Sequence, residues 1–408
     1  MSRRWMVVAL VFLGILISYV DRGNLGIAAA AIMQDFGLTP AMMGMLLSAF
    51  FWTYGGFQIP AGILVDRLGI RGMYAGAFLL WSLASAAIAL SRGSTDILAL
   101  RLLLGLAEAI GPIASLSFIR RSFSGAEQGL PTAIYIAGQN AGPAVGALLG
   151  SMLIAWWGWR TMFAVTGLGA LIWLPFWLWL APRNGVRTAP ERTKEATSSG
   201  VEWRAVFTHP AVWLMGVAIF LSSYFWYFLL TWVPSYLTMS RGFSTLEMGK
   251  VLSGPLFIMA VLNIAAGALA DRLIPGVGSV FRVRVWFAAA GYLGGGALLL
   301  LLLLPGREAV FPVLVLSVCS VGIGNANYWA ISQHAPPAGM VGRAIGFLNT
   351  VSQAAGAAAP LITGWILGPD KQFGVALAIA GFCPIAAAGC LLLAGADGLE
   401  KLKSRLAA

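Results

Sequence analysis

Twelve apolar runs, most of them 20 residues or longer, leave this chain few folds to choose from. They cover approximately 5–33, 40–64, 72–91, 96–119, 128–154, 160–181, 210–239, 245–269, 283–304, 309–333, 340–367 and 372–395. A hydrocarbon core about 30 Å thick is crossed by about 20 residues of helix, so each run predicts one crossing. The chain is 59% hydrophobic and 10% charged, with a mean hydropathy of +0.84, which excludes a soluble globular protein. The expectation is an all-α membrane protein whose twelve transmembrane helices form two pseudo-symmetric six-helix bundles. Fifty glycines would weaken soluble helices but suit membrane helices that pack backbone to backbone.

The net charge of +11 raises the question of nucleic acid, and its distribution answers it. With the N-terminus in the cytoplasm, 18 of the 26 lysines and arginines fall in cytoplasmic loops and ends and 6 on the other side. By the positive-inside rule both termini are expected in the cytoplasm, and no nucleic-acid partner is expected; the membrane expected is a bacterial-type inner membrane. The three cysteines, Cys319, Cys383 and Cys390, lie in apolar runs without metal or redox spacing. No metal cluster, nucleophile elbow or phosphate loop is present, so neither a cofactor nor an enzymatic activity is expected.

Within this apolar background, four strongly charged side chains sit well inside predicted spans: Asp21 and Arg22 in the first, Arg101 and Glu108 in the fourth. An embedded charge costs roughly 2.5–3.5 kcal/mol on insertion scales, so it is expected to face a partner or a watery cavity. Arg101 and Glu108 are seven apart and share a helical face that can meet the first span. They could serve only as a brace between helices. Four charges are an expensive brace where apolar packing would suffice, which favours a functional site.

The longest polar interval separates two halves: residues 1–181, a linker at 182–209, and residues 210–408. Each half repeats a Gly-x3-Asp-Arg signal after its second span, Gly62 to Asp66-Arg67 and Gly267 to Asp271-Arg272. Internal repeats of this kind belong to transporters whose substrate sites lie near the midplane, and the two Asp-Arg pairs are candidate gating groups on the cytoplasmic face.

Several local patterns accumulate: Tyr19-Val20-Asp21-Arg22-Gly23-Asn24, then Trp52, Tyr54, Gln58, Pro60 and Gly62 leading to Asp66-Arg67, and Arg101 with Glu108. Gly138-Gln139, the run from Phe228 through Trp232 and Pro234 to Leu237, and Gly346 to Asn349 add to them. Over its whole length the chain resembles the major facilitator superfamily, and within it the anion:cation symporters of galactonate, glucarate and hexuronate, related to sialin and the vesicular glutamate transporters. The resemblance implies proton-coupled import of a small organic anion, with a sugar acid expected, by a rocker-switch monomer. It places Tyr19, Arg22, Tyr54 and Gln139 at the substrate in the first half, and Asn349 and the stretch from Ala326 to Tyr328 and Trp329 in the second. Two departures stand out. Many sugar-acid members carry a proline two residues after the glutamate, where this chain reads Glu108-Ala109-Ile110-Gly111-Pro112, and Tyr328 stands where galactonate-type members would carry a small hydroxyl residue, which suits a smaller or more aromatic ligand.

Arginine suits an anion because its planar fork binds a carboxylate through two hydrogen bonds and stays charged. In this scheme Arg22 holds the substrate, while Asp21 and Glu108, with Arg101, handle protons. Burial favours a neutral carboxyl and a nearby arginine an ionised one, so an anion seated on the arginine couples to proton binding by linkage. Amides and phenols such as Tyr54, Gln139, Asn349 and Gln353 suit a polyhydroxylated ligand. The alternatives are an uncoupled facilitator or an exporter of an aromatic or monocarboxylic acid, and, from another class, a membrane enzyme or receptor.

Overall fold

A computed structural model describes residues 2–124, 127–182, 209–336, 341–368 and 372–407. Apart from its two end residues, the interval expected as a linker lies outside these. Among the described residues the regular structure is helical, without strands. In order the main helices are α1 (Arg3–Phe36), α2 (Pro40–Leu68), α3 (Ile70–Ala87), α4 (Ser94–Glu108), α5 (Ile110–Ser122), α6 (Gly129–Ala170) and α7 (Trp173–Leu180). After them come α8 (Pro210–Thr231), α9 (Thr245–Val277), α10 (Val280–Gly295), α11 (Val310–His334), α12 (Val341–Leu367), α13 (Gly374–Ala394) and α14 (Ala396–Ala407).

Among the described residues, ten helical stretches are long and apolar enough to cross a membrane. They differ from the twelve expected segments at two places. Gly129–Leu180 is one stretch of 52 residues, bent at Gly158, whose φ of 82° is open to glycine and strained for other residues. The 29-residue α2 is long enough to cross, but it carries Thr53, Tyr54, Gln58 and Pro60 along its length.

The chain forms two compact units. The first is Met1–Thr188 with Leu229–Ser253 and Pro360–Gln372, and the second is Ala189–Phe228, Gly254–Ala359 and Phe373–Ala408. In the first, α6 presents Gly138, Gly142 and Gly146 to α1 at one-turn intervals. A Cβ on Gly142 would come 2.4 Å from the Tyr19 Cβ, so only glycine lets the two backbones approach this closely. Gly105 does the same between α4 and α2, where a Cβ would meet the Phe50 carbonyl oxygen at 2.3 Å. Thr53 fixes that approach by donating its hydroxyl to the Leu102 carbonyl at 2.7 Å. These two close approaches bring α1, α2, α4 and α6 around the embedded charges.

Between α4 and α5 the helix is interrupted at Ala109. Pro112 explains the position: it has no N–H to return to the Glu108 carbonyl, so the regular ladder breaks immediately after the glutamate.

In the second unit, α10 and α11 close on Gly291, where a Cβ would lie 2.5 Å from the Gly324 nitrogen. Arg284 corrects the sequence reading, which found embedded charges only in the first and fourth spans. It sits in the second turn of α10, 8% exposed, donating to Asn327 Oδ1 of α11 at 2.9 Å and to the Asp271 carboxylate of α9. Arg282, two residues earlier and thus on the other side of the helix, is exposed.

Candidate functional site

The four embedded charges meet in the first unit, but not as one network. Arg22 Nε donates to Glu108 Oε2 at 2.9 Å, an ion pair linking α1 to the end of α4, with side chains 7% and 0% exposed. The same carboxylate oxygen accepts from the Ser18 hydroxyl at 2.7 Å, one turn before Arg22. Three rings surround the Arg22 guanidinium: Tyr54 at 4.3 Å, Tyr19 at 4.6 Å and Phe50 at 5.1 Å from its carbon. Cation–π attraction of this kind amounts to about 0.5–2 kcal/mol per contact, and the rings also exclude water. Tyr54 and Phe50 stack on each other at 5.2 Å, which fixes that wall.

Arg101 is 1% exposed, and its carbon lies 5.2 Å from the same Phe50 ring. One aromatic ring therefore serves both guanidinium groups. Neither arginine has its donors filled: Arg22 Nη2, Arg101 Nε and Arg101 Nη1 are buried without a hydrogen-bond partner, and so is Glu108 Oε1. A buried guanidinium without acceptors is costly unless something anionic completes it.

Asp21 stands apart from this cluster. Its Oδ1 accepts from the Ser85 hydroxyl of α3 at 3.0 Å and from Asn24 Nδ2 at 3.3 Å, while Oδ2 has no partner. Asn24 Nδ2 also donates to Thr166 of α6 at 3.1 Å. Asp21 and Arg22 are neighbours in sequence but point to different helices, as consecutive residues separated by 100° must.

Gln139 of α6 bridges two phenols, donating to Tyr19 and Tyr135 at 3.2 Å each. The aromatic wall, the arginine fork and an amide with two hydroxyls thus lie along one side of α1. In the second unit the expected residues are distributed differently. Tyr328 is fully buried and donates its hydroxyl to the Met215 carbonyl at 2.8 Å, while Trp329 is half-buried and meets the Tyr328 ring edge-on at 5.8 Å. Asn349 is half-buried on α12, where Gln353, one turn on, accepts from Tyr227 at 3.1 Å.

The repeated Asp-Arg pairs are not bonded to each other as pairs. Asp66 takes Arg121 of α5 at 2.9 Å, and Asp271 takes Arg284 of α10, while Arg67 and Arg272 are exposed. In each unit the aspartate at the end of one helix accepts an arginine from another helix of its own unit. Sequence reasoning missed Arg121 and Arg284 because a basic residue near a span's end reads as topology. Asn327, expected at the substrate, is fully buried and instead accepts from Arg284 and donates to the Ile323 carbonyl at 3.0 Å, and such a buried amide in an apolar run is the one signal for Arg284.

The sequence profile of the Major Facilitator Superfamily matches residues 11–360. The chain is 28% identical over 386 residues to the hexuronate transporter of Bacillus subtilis, spanning 92% of this chain and 90% of that protein. It is 27% identical over 415 residues to the D-galactonate transporter of Escherichia coli, spanning 95% and 94%. Among solved structures, a bacterial homologue of the human lysosomal transporter Spinster superposes with a TM-score of 0.77 at 17% identity, covering 100% of this chain and 98% of that one. This last likeness is one of fold.

Proposed function

This chain belongs to the Major Facilitator Superfamily, a family of transporters and not of enzymes, and on that premise we propose that it imports a small organic anion, a sugar acid, together with protons. One observation carries the proposal: three buried guanidinium donors, on Arg22 and Arg101, lie without an acceptor around Phe50. A carboxylate is the group whose geometry fills such a fork. Tyr19, Tyr54 and Gln139 are the N-terminal residues we assign to the rest of the ligand. The half-buried Trp329 and Asn349 are the C-terminal ones, while Tyr328 braces α11 against α8. The named substrates of the relatives, hexuronate and D-galactonate, are hydroxylated monocarboxylates and agree with this chemistry.

Glu108 and Asp21 are assigned the protons, for different reasons. Glu108 shares Arg22 with the incoming anion, so a substrate carboxylate and the Glu108 carboxylate compete for one guanidinium. Protonation of Glu108 releases that competition, which couples the two cargoes. Asp21, fixed by Ser85 and Asn24, has one free buried oxygen for a proton. A monocarboxylate with one proton moves electroneutrally, whereas two protons draw on the membrane potential at about 2.3 kcal/mol per charge per 100 mV. Asp66 and Asp271, with their arginines, are the groups we assign to gating during alternating access, in a plasma membrane with both termini cytoplasmic.

Thermal unfolding of the purified protein with hexuronates, hexonates, aldarates and aromatic acids tests the substrate class. A stabilisation by sugar acids that disappears in Arg22→Ala is expected. Stabilisation by aromatic acids alone would remove the sugar-acid assignment.

A further inference from the structure

At the end of the first unit that holds the N-terminus lies a cavity of about 180 Å³ lined by none of the residues assigned to substrate or protons. Arg71, Arg121 and Trp177 line it, together with the α2–α3 connection at Gly69 and the chain just after α7. Arg3 marks the same end, donating to the carbonyls of Trp179 and Leu180.

The donors around this cavity exceed the acceptors. Arg71 gives one Nη to the Leu178 carbonyl, but its Nε is buried without a partner. Arg121 gives one Nη to Asp66, and its side chain remains only 25% exposed. The first turn of α3 adds three more donors: Gly69 has no side chain to cap the helix, and the N–H groups of Ile70, Arg71 and Gly72 meet no acceptor among the described residues. Two guanidinium groups and a row of backbone amides form the donor set of an oxyanion with several acceptor oxygens. Exposed apolar side chains accompany the lining, Leu68 within it at 67% and Trp179, next in sequence to the lining Leu178, at 73%, as at a surface that faces acyl chains.

The geometry points to a phosphate seat in this cavity, held by Arg71, Arg121 and the first turn of α3. The chemistry is that of a phosphate ester or free phosphate, and the apolar rim assigns it to the headgroup of an anionic phospholipid. Basic pockets between membrane helices are suited to such headgroups, and the charge of the lipid distinguishes this from general solvation by acyl chains.

The test uses delipidated, purified full-length protein, with thermal unfolding followed in the presence of phosphatidylglycerol, phosphatidylcholine or inorganic phosphate. The expected result is a rise of several degrees with phosphatidylglycerol, retained in Arg120→Gln, an exposed neighbour outside the cavity, and lost in Arg71→Gln/Arg121→Gln. A matching rise with inorganic phosphate would keep the seat and assign it to a soluble anion. Equal shifts with phosphatidylcholine, no shift with either phosphate source, or an undiminished shift in the double variant would overturn the inference. Should the double variant fail to fold, native mass spectrometry of Arg71→Gln gives the same decision: phosphatidylglycerol adducts should fall at least severalfold, and unchanged adducts count against the seat.

Discussion

The Arg22 guanidinium commits its Nε to Glu108 and its faces to three rings, which leaves the Nη end as the part that can meet a substrate. Lysine would keep the charge and lose the fork. Arg22→Lys should therefore weaken carboxylate binding roughly ten- to hundredfold, the scale of one charge-assisted hydrogen bond. Isothermal titration checks this, and unchanged affinity would make Arg22 a structural brace. Glu108→Gln keeps an acceptor for Arg22 and Ser18 but cannot change protonation. Ligand binding should persist in that variant while accumulation against a gradient falls to the uncoupled level, and uptake driven by an imposed pH gradient as in wild type would remove Glu108 from coupling. Sequence shows these residues because four charges in an apolar background are conspicuous. It does not show their pairing, which depends on the helix each faces: Arg22 and Asp21 diverge, and Arg101 has no acid within ion-pair distance among the described residues.

At the scale of the helices, glycine sets the geometry of the candidate site. Gly142 brings α6 onto α1 at Tyr19, so Gly142→Leu should force the helices apart at a cost of about 1–3 kcal/mol, typical of overpacking. Tyr19 would move away from Gln139, and the variant should show both a lowered unfolding temperature and weaker ligand binding. Wild-type values for both would contradict the packing account. The connection between α5 and α6 is tied to α1 by Glu127, which accepts from the Ser124 N–H and hydroxyl and pairs with Arg4 at 3.3 Å. Those donors, Ser124 first, hold the Glu127 carboxyl below its ordinary range. A depressed folded pKa means that the contribution to stability is present at neutral pH and is lost as pH falls through the folded value. An NMR titration should place the Glu127 midpoint below that of an unbonded exposed glutamate, and a midpoint at or above it would contradict these contacts. The break after Glu108 belongs to this scale too. Pro112 is plain in the sequence, but the consequence falls four residues upstream, where the missing N–H would have bonded. Arg284 was hidden for a related reason: a charge in the second turn of a span looks like a loop charge until its neighbours are known.

For the whole molecule, the apolar runs carry the helical architecture, and the repeated Gly-x3-Asp-Arg signal is the ground for expecting two related halves. A chain this apolar must form membrane helices, and a repeat implies two related halves. What the repeat does not reveal is that Asp66 and Asp271 pair with arginines from other helices, Arg121 and Arg284, and not with the arginines beside them. Replacing Asp66 with Asn should therefore release Arg121 and change transport rate more than ligand affinity, measured by uptake against titration; an equal loss in both would place Asp66 in binding. The central claim is that anion and proton move together through the Arg22–Glu108 region. Proteoliposomes loaded with a pH-sensitive dye, given hexuronate or galactonate on the outside without an imposed gradient, test it directly. The account predicts internal acidification that follows substrate entry and is absent in Glu108→Gln, and substrate entry without acidification in the wild type would contradict it.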